Sequence, residues 1–459
     1  AYTLTYDHLI LSPGGLAARP PIDGLDSPRV HTLRTVDDAL ALREASGTRA
    51  VVLGAGFIGI EAVEALAHRG FETHLVEYAG HVLPPLEVEM ATLVTRELRG
   101  LGVHVHAGVA AQTITHGDDH DSVTLSDGTV LTADVIVLST GVRPDTAFAE
   151  AAGIETSRGY ILVDDRGRTS VDDVYAVGDG TMGRDHDRPV ALAGPANRGG
   201  RLVADAIADA EHGGAAARPI PSPQGTAIVR VGSLTAAMTG ANRQALDDSG
   251  TKYFTVHTHA NQHAGYFPGA QPVHILMHVG TDGQILGAQA VGADGVDRRI
   301  DVIATAMRAG LSATDLIDLD LAYAPPYGQA KDPVNQTGMV AHNVLTGELV
   351  LTGPDALTED TPVLDVRTPG EYAAGHMPNS LNIPHTQLRD RLDEVQAWVD
   401  ENVGDQPFVV MCAAGVRSWI GYRIVRHAGF TVTMLSGGIQ TLRAWLGDRA
   451  EAVLVTGEG

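Results

Sequence analysis

Val51-Val52-Leu53-Gly54-Ala55-Gly56-Phe57-Ile58-Gly59-Ile60-Glu61 is an apolar, β-branched run that passes through three spaced glycines into a helical pattern. Gly54 permits a tight turn, Gly56 leaves room for backbone to approach a pyrophosphate, and Gly59 lets helix and strand pack closely. The helix N-terminus then offers its free N–H groups to the phosphates. The flanking sequence has matching grammar: a helix over Ile58–Arg69 with Gly70 to end it, then a strand Thr73–Val76 finishing in Glu77, 18 residues after Gly59. A carboxylate there can accept hydrogen bonds from the two hydroxyls of a ribose and repels a 2′-phosphate. NADH is therefore expected in preference to NADPH, with Gly54, Gly56, Gly59, Glu61 and Glu77 as the contacting residues. Two plainer readings stand beside this one: a glycine-rich turn without a ligand, and Glu77 as a surface carboxylate.

The chain around this motif has 459 residues, more than one ordinary core holds, so about two to four domains are expected. It is 44% apolar and 19% charged, and no long stretch is free of charge, so no membrane span is expected. Its 56 acidic against 32 basic side chains leave a formal charge of -24, which repels phosphate backbones and argues against nucleic acid as a partner. No secretory leader pattern opens the sequence, and a cytoplasmic protein is expected. The single cysteine, Cys412, rules out an internal disulfide framework and concentrates thiol chemistry in one residue.

From Ala50 to Gly141 short β-branched runs alternate with helical patterns, as in βαβ units. Gly, Ala and Pro crowd into Glu211–Gln224, which marks a domain boundary. Residues 225–342 mix strands, such as Val273–Val279 and Ile285–Val291, with a helix near Asp297–Ala309, so a sheet with helices on one side is expected. A loop at Thr352–Pro362 opens a third module of strand–helix alternation. His259 and His263 have the spacing of metal ligands on a helix, but Gly265, Pro268 and Gly269 argue for a loop, and no metal is expected.

Tyr6-Asp7-His8-Leu9-Ile10-Leu11-Ser12-Pro13-Gly14-Gly15, Leu138-Ser139-Thr140-Gly141-Val142-Arg143-Pro144 and Val174-Tyr175-Ala176-Val177-Gly178-Asp179 flank the glycine motif in sequence. Together with Gly54–Glu61 they resemble, in the right order, the signatures of pyridine-nucleotide disulfide oxidoreductases. Leu192-Ala193-Gly194-Pro195-Ala196-Asn197-Arg198, His259-Ala260-Asn261-Gln262-His263-Ala264-Gly265-Tyr266 and Leu321-Ala322-Tyr323-Ala324-Pro325-Pro326-Tyr327 are similar to the coenzyme A disulfide reductase type. The resemblance covers the chain to about residue 345.

It implies that Asp179 hydrogen-bonds the ribityl–phosphate region of FAD and that the turn around Ala193, Gly194 and Asn197 approaches the flavin ring. Ser12, Gly14 and Gly141 should line the crossings between the two nucleotide domains. Glycines beside Asp179 suit a close ligand contact, although a plain Asp-Gly turn would read alike. Residues 225–342 should form the dimerisation domain of a homodimer. Tyr323 and Tyr327 should then lie across the interface near the reactive thiol, where phenols can donate to a thiolate or to substrate. Two tyrosines packed in a proline-rich loop are the plainer reading.

Members of this family begin with an FAD-binding βαβ unit, with its own G-x-G-x-x-G and acidic residue, followed by a flavin-facing redox cysteine. The sequence opens instead at what resembles the strand closing that domain. Roughly a hundred residues are therefore expected to be absent, and the polypeptide as given is expected to bind flavin poorly.

Val363-Leu364-Asp365-Val366-Arg367-Thr368-Pro369-Gly370-Glu371-Tyr372, Gly375-His376-Met377-Pro378 and Asn382-Ile383-Pro384 resemble the first half of a rhodanese domain. Val409-Val410-Met411 then reads as a buried strand delivering Cys412-Ala413-Ala414-Gly415-Val416-Arg417-Ser418, after which a helix runs to His427 with Gly429 near its end. A cysteine between strand and helix N-terminus faces convergent N–H groups that stabilise a thiolate or an anionic persulfide. Related cysteine-loop phosphatases use a longer loop to wrap a tetrahedral oxyanion. Here four residues separate Cys412 from Arg417, which suits a single sulfur atom. Arg417 should orient the loop or attract an anionic sulfur donor, and Asp365, Arg367 and Glu371 read as a supporting charge cluster. An inert buried thiol is the plainer reading of Cys412.

The expected architecture is thus α/β, with Rossmann-like FAD/NAD(P)-binding domains, an α+β dimerisation domain and a C-terminal α/β rhodanese-like domain. The boundaries run 1–48 (remnant of the FAD-binding domain), 49–140 (NAD(P)-binding), 141–222 (C-terminal part of the FAD-binding domain), 223–345 (dimerisation) and 352–459 (rhodanese-like). The expected activity is FAD-dependent oxidation of NADH coupled to reduction of coenzyme A disulfide, coenzyme A persulfide or polysulfide, with Cys412 handling sulfane sulfur. An NADH oxidase of the same family and a sulfur-relay module without redox catalysis remain the alternatives.

Overall fold

A computed structural model of the chain describes residues 2–185, 188–213 and 217–457. Residues 214–216 of the boundary stretch Glu211–Gln224 lie outside them. The chain forms two compact units, residues up to 80 with 102–227, and residues 81–101 with 228–459.

The first unit runs through β1 (Leu9–Leu11), β2 (Gly15–Ala17), β3 (Val30–Thr32), α1 (Val36–Glu44), β4 (Arg49–Leu53), α2 (Phe57–His68) and β5 (Glu72–Glu77). After the excursion holding α3 (Val88–Gly100), which belongs to the second unit, come β6 (His104–Ala107), β7 (Ala111–Thr115), β8 (Asp121–Leu125), β9 (Val130–Ala133) and β10 (Val135–Leu138). The strands β3-β10-β4-β5-β6 form one parallel sheet. Ala50–Leu53 and Val135–Leu138 are buried without alternation, as central strands covered on both faces must be. The antiparallel β7-β8-β9 sheet closes one face, packing Ile114, Val123, Leu125 and Leu131 on Val51, Leu53, Val76 and Ile136. Because β3 pairs with β10, residue 48 is not where this sheet begins: a strand from the 1–48 segment is hydrogen-bonded into the sheet of the 49–140 domain.

The unit continues through β11 (Val142–Pro144), α4 (Ala147–Ala151), β12 (Thr156–Ser157), β13 (Tyr160–Val163), β14 (Val174–Ala176), β15 (Thr181–Gly183) and α5 (Ala193–His212). β1 lies parallel to β14 and β2 antiparallel to β11. The segment expected as a turn at Gly194–Asn197 instead lies within the first five residues of the 20-residue helix α5. Its glycines break no helix because tertiary packing of Leu202, Val203 and Ala206 outweighs their weak propensity.

The second unit opens with β16 (Ala227–Val231), β17 (Leu234–Gly240), α6 (Arg243–Asp248), β18 (Tyr253–Asn261), β19 (Pro272–Gly280), β20 (Ile285–Gly292), α7 (Val296–Ala309) and α8 (Pro333–Leu345). The five-stranded sheet, ordered β16-β17-β20-β19-β18, packs Val273, Ile275 and Met277 against Val296, Ile300 and Ile303 of α7 and Val334 and Ala341 of α8. His259 is therefore in a strand, opposite His274, and not in the expected loop, because Gly265, Pro268 and Gly269 all follow the strand's end.

The last module comprises β21 (Leu351–Thr352), β22 (Val363–Asp365), α9 (Pro369–Ala373), β23 (Ser380–Asn382), α10 (Leu392–Asn402), β24 (Phe408–Met411), α11 (Val416–His427), β25 (Val432–Leu435), α12 (Gly438–Leu446) and α13 (Ala450–Val453). Its parallel sheet has the order β21-β25-β24-β22-β23. A buried ionic cluster ties α3 to the rest of this unit. Arg243 donates to Glu87 at 3.0 Å and to Glu89 at 2.8 Å, and His257 Nε2 lies 2.9 Å from the Glu89 carboxylate. Burial alone would raise the Glu89 pKa, but the His257 hydrogen bond and the Arg243 charge overcome it and hold the group at about 2. No helix among the described residues is long and apolar enough to cross a membrane.

Candidate functional site

The glycine turn after β4 has the spatial reasons its sequence suggested. A Cβ on Gly54, at φ +99°, would meet the Ser139 carbonyl at 2.6 Å, and one on Gly59 would run into the Gly54 carbonyl oxygen. Both glycines are required by close backbone approach. Gly56 differs, since a Cβ there meets nothing within 4 Å. It is the N-cap of α2 and puts no side chain over the first N–H groups of the helix. Glu77 is only 9% exposed, which excludes its reading as a surface carboxylate. It accepts from Ala55 N at 2.7 Å and Ala79 N at 2.8 Å, so it clamps the turn. Glu61 is exposed on α2.

The second nucleotide surface is assembled by the parallel pairing of β1 with β14, which sets the Ser12–Gly14 turn against the Gly178–Gly180 turn. A Cβ on Gly180 would meet Pro13 at 2.7 Å and the Gly14 carbonyl at 3.1 Å, and Gly178 has φ +88°. Asp179 is half-buried between these glycines. Gly141, at φ +108°, adjoins open space where β10 leads to β11. Ala193, Gly194 and Asn197 lie in the first turn of α5, whose N-cap Leu192 offers no side-chain acceptor. A cavity of about 310 Å³ opens beside Gly178, Ala196 and Gly199. Close-packed glycine turns, one short carboxylate and an uncapped helix start fit part of a flavin dinucleotide.

The thiol site is built on the rhodanese-like module. β24, buried throughout, delivers Cys412 to the loop that precedes α11. Its Sγ accepts from Gly415 N at 3.2 Å and lies 3.4 Å from Ser418 Oγ, which itself donates to the Gly415 carbonyl at 2.9 Å. Gly415 adopts φ +105° as the N-cap of α11, and no side chain caps that helix. The thiol is 1% exposed, more enclosed than an open sulfur-transfer loop suggests. A cavity of about 370 Å³ borders the outer side of the same loop at Ala414, Gly415, Val416 and Trp419.

Arg417 is not free to roam toward a donor. It makes a bidentate pair with Glu371 at 2.7 and 2.6 Å. The Arg417 hydrogen bonds hold the Glu371 carboxyl at about 2 against a smaller effect of burial. Glu371 is in turn placed by a capping box with Thr368, and by Arg367, which donates to the Glu371 carbonyl at 2.9 Å. Arg367 is buried against Asp365, with its guanidinium 2.6 Å from that carboxylate. The charge cluster is thus a relay of supports ending at the helix that carries the thiol loop. Sequence reasoning missed Glu371 as the partner of Arg417 and Ser418 as a neighbour of the sulfur. The Thr368-Pro369-Gly370-Glu371 capping signature was the available signal.

Tyr323 and Tyr327 stand on a loop held by Arg298, which donates to the Ala322 and Tyr327 carbonyls at 2.8 Å each. Their side chains are 48% and 72% exposed, so neither is packed into the loop as the plainer reading required. Tyr266, at 78% exposure, joins them, and its hydrogen bond with Tyr323 raises its pKa.

Residues 1–210 match the pyridine nucleotide-disulphide oxidoreductase family, residues 226–333 its dimerisation domain, and residues 354–444 the rhodanese-like domain. A coenzyme A disulfide reductase of Staphylococcus haemolyticus is 31% identical over 353 residues, 75% of this chain and 77% of the relative. The crystal structure of reduced Bacillus anthracis CoADR-RHD superposes with a TM-score of 0.90 at 36% identity, covering 98% of this chain and 81% of that one. An NAD-dependent persulfide reductase from A. fulgidus gives a TM-score of 0.86 at 36% identity, covering 95% and 81%. The chain therefore belongs to the pyridine nucleotide-disulphide oxidoreductase family and joins that family's dimerisation domain to a rhodanese-like domain.

Proposed function

We propose that this protein is an FAD-dependent NADH oxidoreductase that reduces coenzyme A disulfide, coenzyme A persulfide or a polysulfide, with Cys412 as the carrier of sulfane sulfur. The observation that carries the reading is the Gly415 N–H directed at Cys412 Sγ, on the same polypeptide as an open dinucleotide turn. Two relatives bear the names coenzyme A disulfide reductase and NAD-dependent persulfide reductase, which supports this class of substrate.

Gly54, Gly56 and Gly59 would seat the pyrophosphate of NADH, with Glu77 holding the turn and accepting from the ribose. That carboxylate disfavours the 2′-phosphate of NADPH. Ser12, Gly14, Asp179 and the start of α5 would hold their share of FAD, with Gly141 at the crossing. Bound FAD supplies two-electron transfer between nicotinamide and a disulfide or persulfide. Cys412, as thiolate, attacks the terminal sulfur of a persulfide R–S–SH, and R–SH leaves as the Cys412 persulfide forms. The Gly415 N–H and the open first turn of α11 stabilise the charge on that sulfur. Arg417, held by Glu371, fixes the first turn of α11. The dimerisation domain supports a homodimer in which Tyr323 and Tyr327 approach the partner subunit's active site. We place the protein in the cytoplasm, where a free thiol such as Cys412 stays reduced.

The test is anaerobic turnover in the presence of FAD. With coenzyme A persulfide, each NADH and proton should yield NAD⁺, coenzyme A and hydrogen sulfide; with coenzyme A disulfide, NAD⁺ and two coenzyme A thiols. NADH consumption that requires oxygen and ignores both substrates would establish the oxidase instead. Sulfur transfer without NADH consumption would leave only the relay.

A further inference from the structure

The edge of the dinucleotide sheet carries a cluster that the redox chemistry does not use. In the parallel register of β5 and β6, His74 sits opposite His104, and Val76 opposite His106. Side chains two residues apart on a strand share a face, so the three imidazoles project together on the side covered by β7–β9. Glu72, His74 and His104 bring one carboxylate oxygen and two ring nitrogens within 4.8 Å of one another. Nε2 of His74 is 3.7 Å from the Glu72 carboxylate, and the His74 ring stacks on His104 with centroids 4.8 Å apart. The other His74 nitrogen, Nδ1, lies 3.0 Å from His106 Nε2.

This division of labour is informative. With Nδ1 engaged by His106, Nε2 is the atom turned toward Glu72 and His104. A metal-bound imidazole is characteristically held this way, with its second nitrogen hydrogen-bonded to a partner that fixes ring and tautomer. Glu72 and His104 are exposed, so a solvated ion can reach the cluster and both side chains can close on it. A plain reading of the same residues is three histidines on the paired strands β5 and β6 sharing one hydrogen bond.

We infer that Glu72, His74 and His104 form a binding site for a divalent transition-metal cation of the zinc class, with His106 as the residue that positions His74. Two imidazoles and one carboxylate select zinc, nickel or copper over magnesium or calcium, which take oxygen ligands. Three protein ligands leave one tetrahedral position for water. The ion would brace the edge strand β6 against β5. The site lies in the first half of β5, whereas Glu77 ends that strand, so NADH binding serves as an independent measure of folding.

The experiment uses untagged chain in a Cys412→Ser background, so that no thiolate competes, stripped of metal and dialysed against zinc. Saturable binding of about one zinc per chain is expected, weakened at least about tenfold by His104→Ala and by Glu72→Gln. Zinc should raise the thermal midpoint of the parent and not of the His104→Ala variant, while both retain the same NADH affinity. His106→Ala should weaken zinc binding without removing it. Absence of saturable binding, or equal binding by parent and His104→Ala chains that still bind NADH, overturns the assignment.

Discussion

Gly415 donates its backbone N–H to Sγ of Cys412 across 3.2 Å, from a residue held at φ +105°. An N–H aimed at a sulfur atom favours the charged form of that sulfur, and glycine is the residue that reaches this conformation without strain. Gly415→Ala should therefore lower kcat/KM for sulfur transfer by about 10- to 100-fold, comparable to loss of one preorganised donor. Steady-state transfer from thiosulfate to cyanide measures it, and an unchanged rate would show that the left-handed backbone at residue 415 is not needed for sulfur transfer.

Two glycines of the dinucleotide turn should differ in what their substitution costs. Gly59→Ala forces a Cβ onto the Gly54 carbonyl, so both stability and NADH binding should fall. Gly56→Ala enters open space, so stability should hold while NADH affinity drops about tenfold or more, because the new methyl occupies the approach of the pyrophosphate. Thermal midpoints and NADH fluorescence titrations read the two effects separately.

Removal of Arg367 should be far more damaging than its distance from the sulfur suggests. The side chain is 4% exposed and its partner Asp365 is fully buried, so Arg367→Ala leaves an uncompensated carboxylate in the core. A loss of about 3–5 kcal/mol is expected for the rhodanese-like module. Urea unfolding followed through tryptophan fluorescence, with Trp398 and Trp419 both in that module, provides the check.

The Glu371–Arg417 pair sets a pH window. The folded-state carboxyl is held at about 2, below its ordinary 4.5, so its stabilising contribution is complete above about pH 4.5 and disappears as pH falls toward 2. The difference in unfolding midpoint between the parent and Glu371→Gln should therefore shrink steadily from pH 5 to pH 2. A difference independent of pH would mean that the pair is not ionic in the folded protein.

The contrast between what was readable and what was not follows sequence distance. Gly54, Gly56, Gly59 and Glu77 lie within one βαβ unit, so spacing alone marked the turn, and Cys412 stood between a legible strand and a legible helix. The Glu89–His257 contact joins residues 168 apart, and no local pattern announces it. The helix at Ala193–Asn197 was hidden because Gly194 and Pro195 read as turn formers, although proline is well tolerated in a first helical turn. The place of β3 in the dinucleotide sheet depends on its pairing with β10, more than a hundred residues later. Enclosure of the Cys412 thiol stood in the sequence only as the plainer reading, since it arises from packing around the loop and not from the loop's own residues.

Cys412 as the carrier of sulfane sulfur is the central claim. Intact-protein mass spectrometry after brief exposure to a persulfide donor, followed by cyanide, tests it most directly. The parent chain should gain one sulfur atom, located at Cys412 and removed by cyanide, while Cys412→Ser gains none and binds NADH as before. A parent chain that gains no sulfur while remaining folded, or a Cys412→Ser chain that gains it equally, would contradict the account.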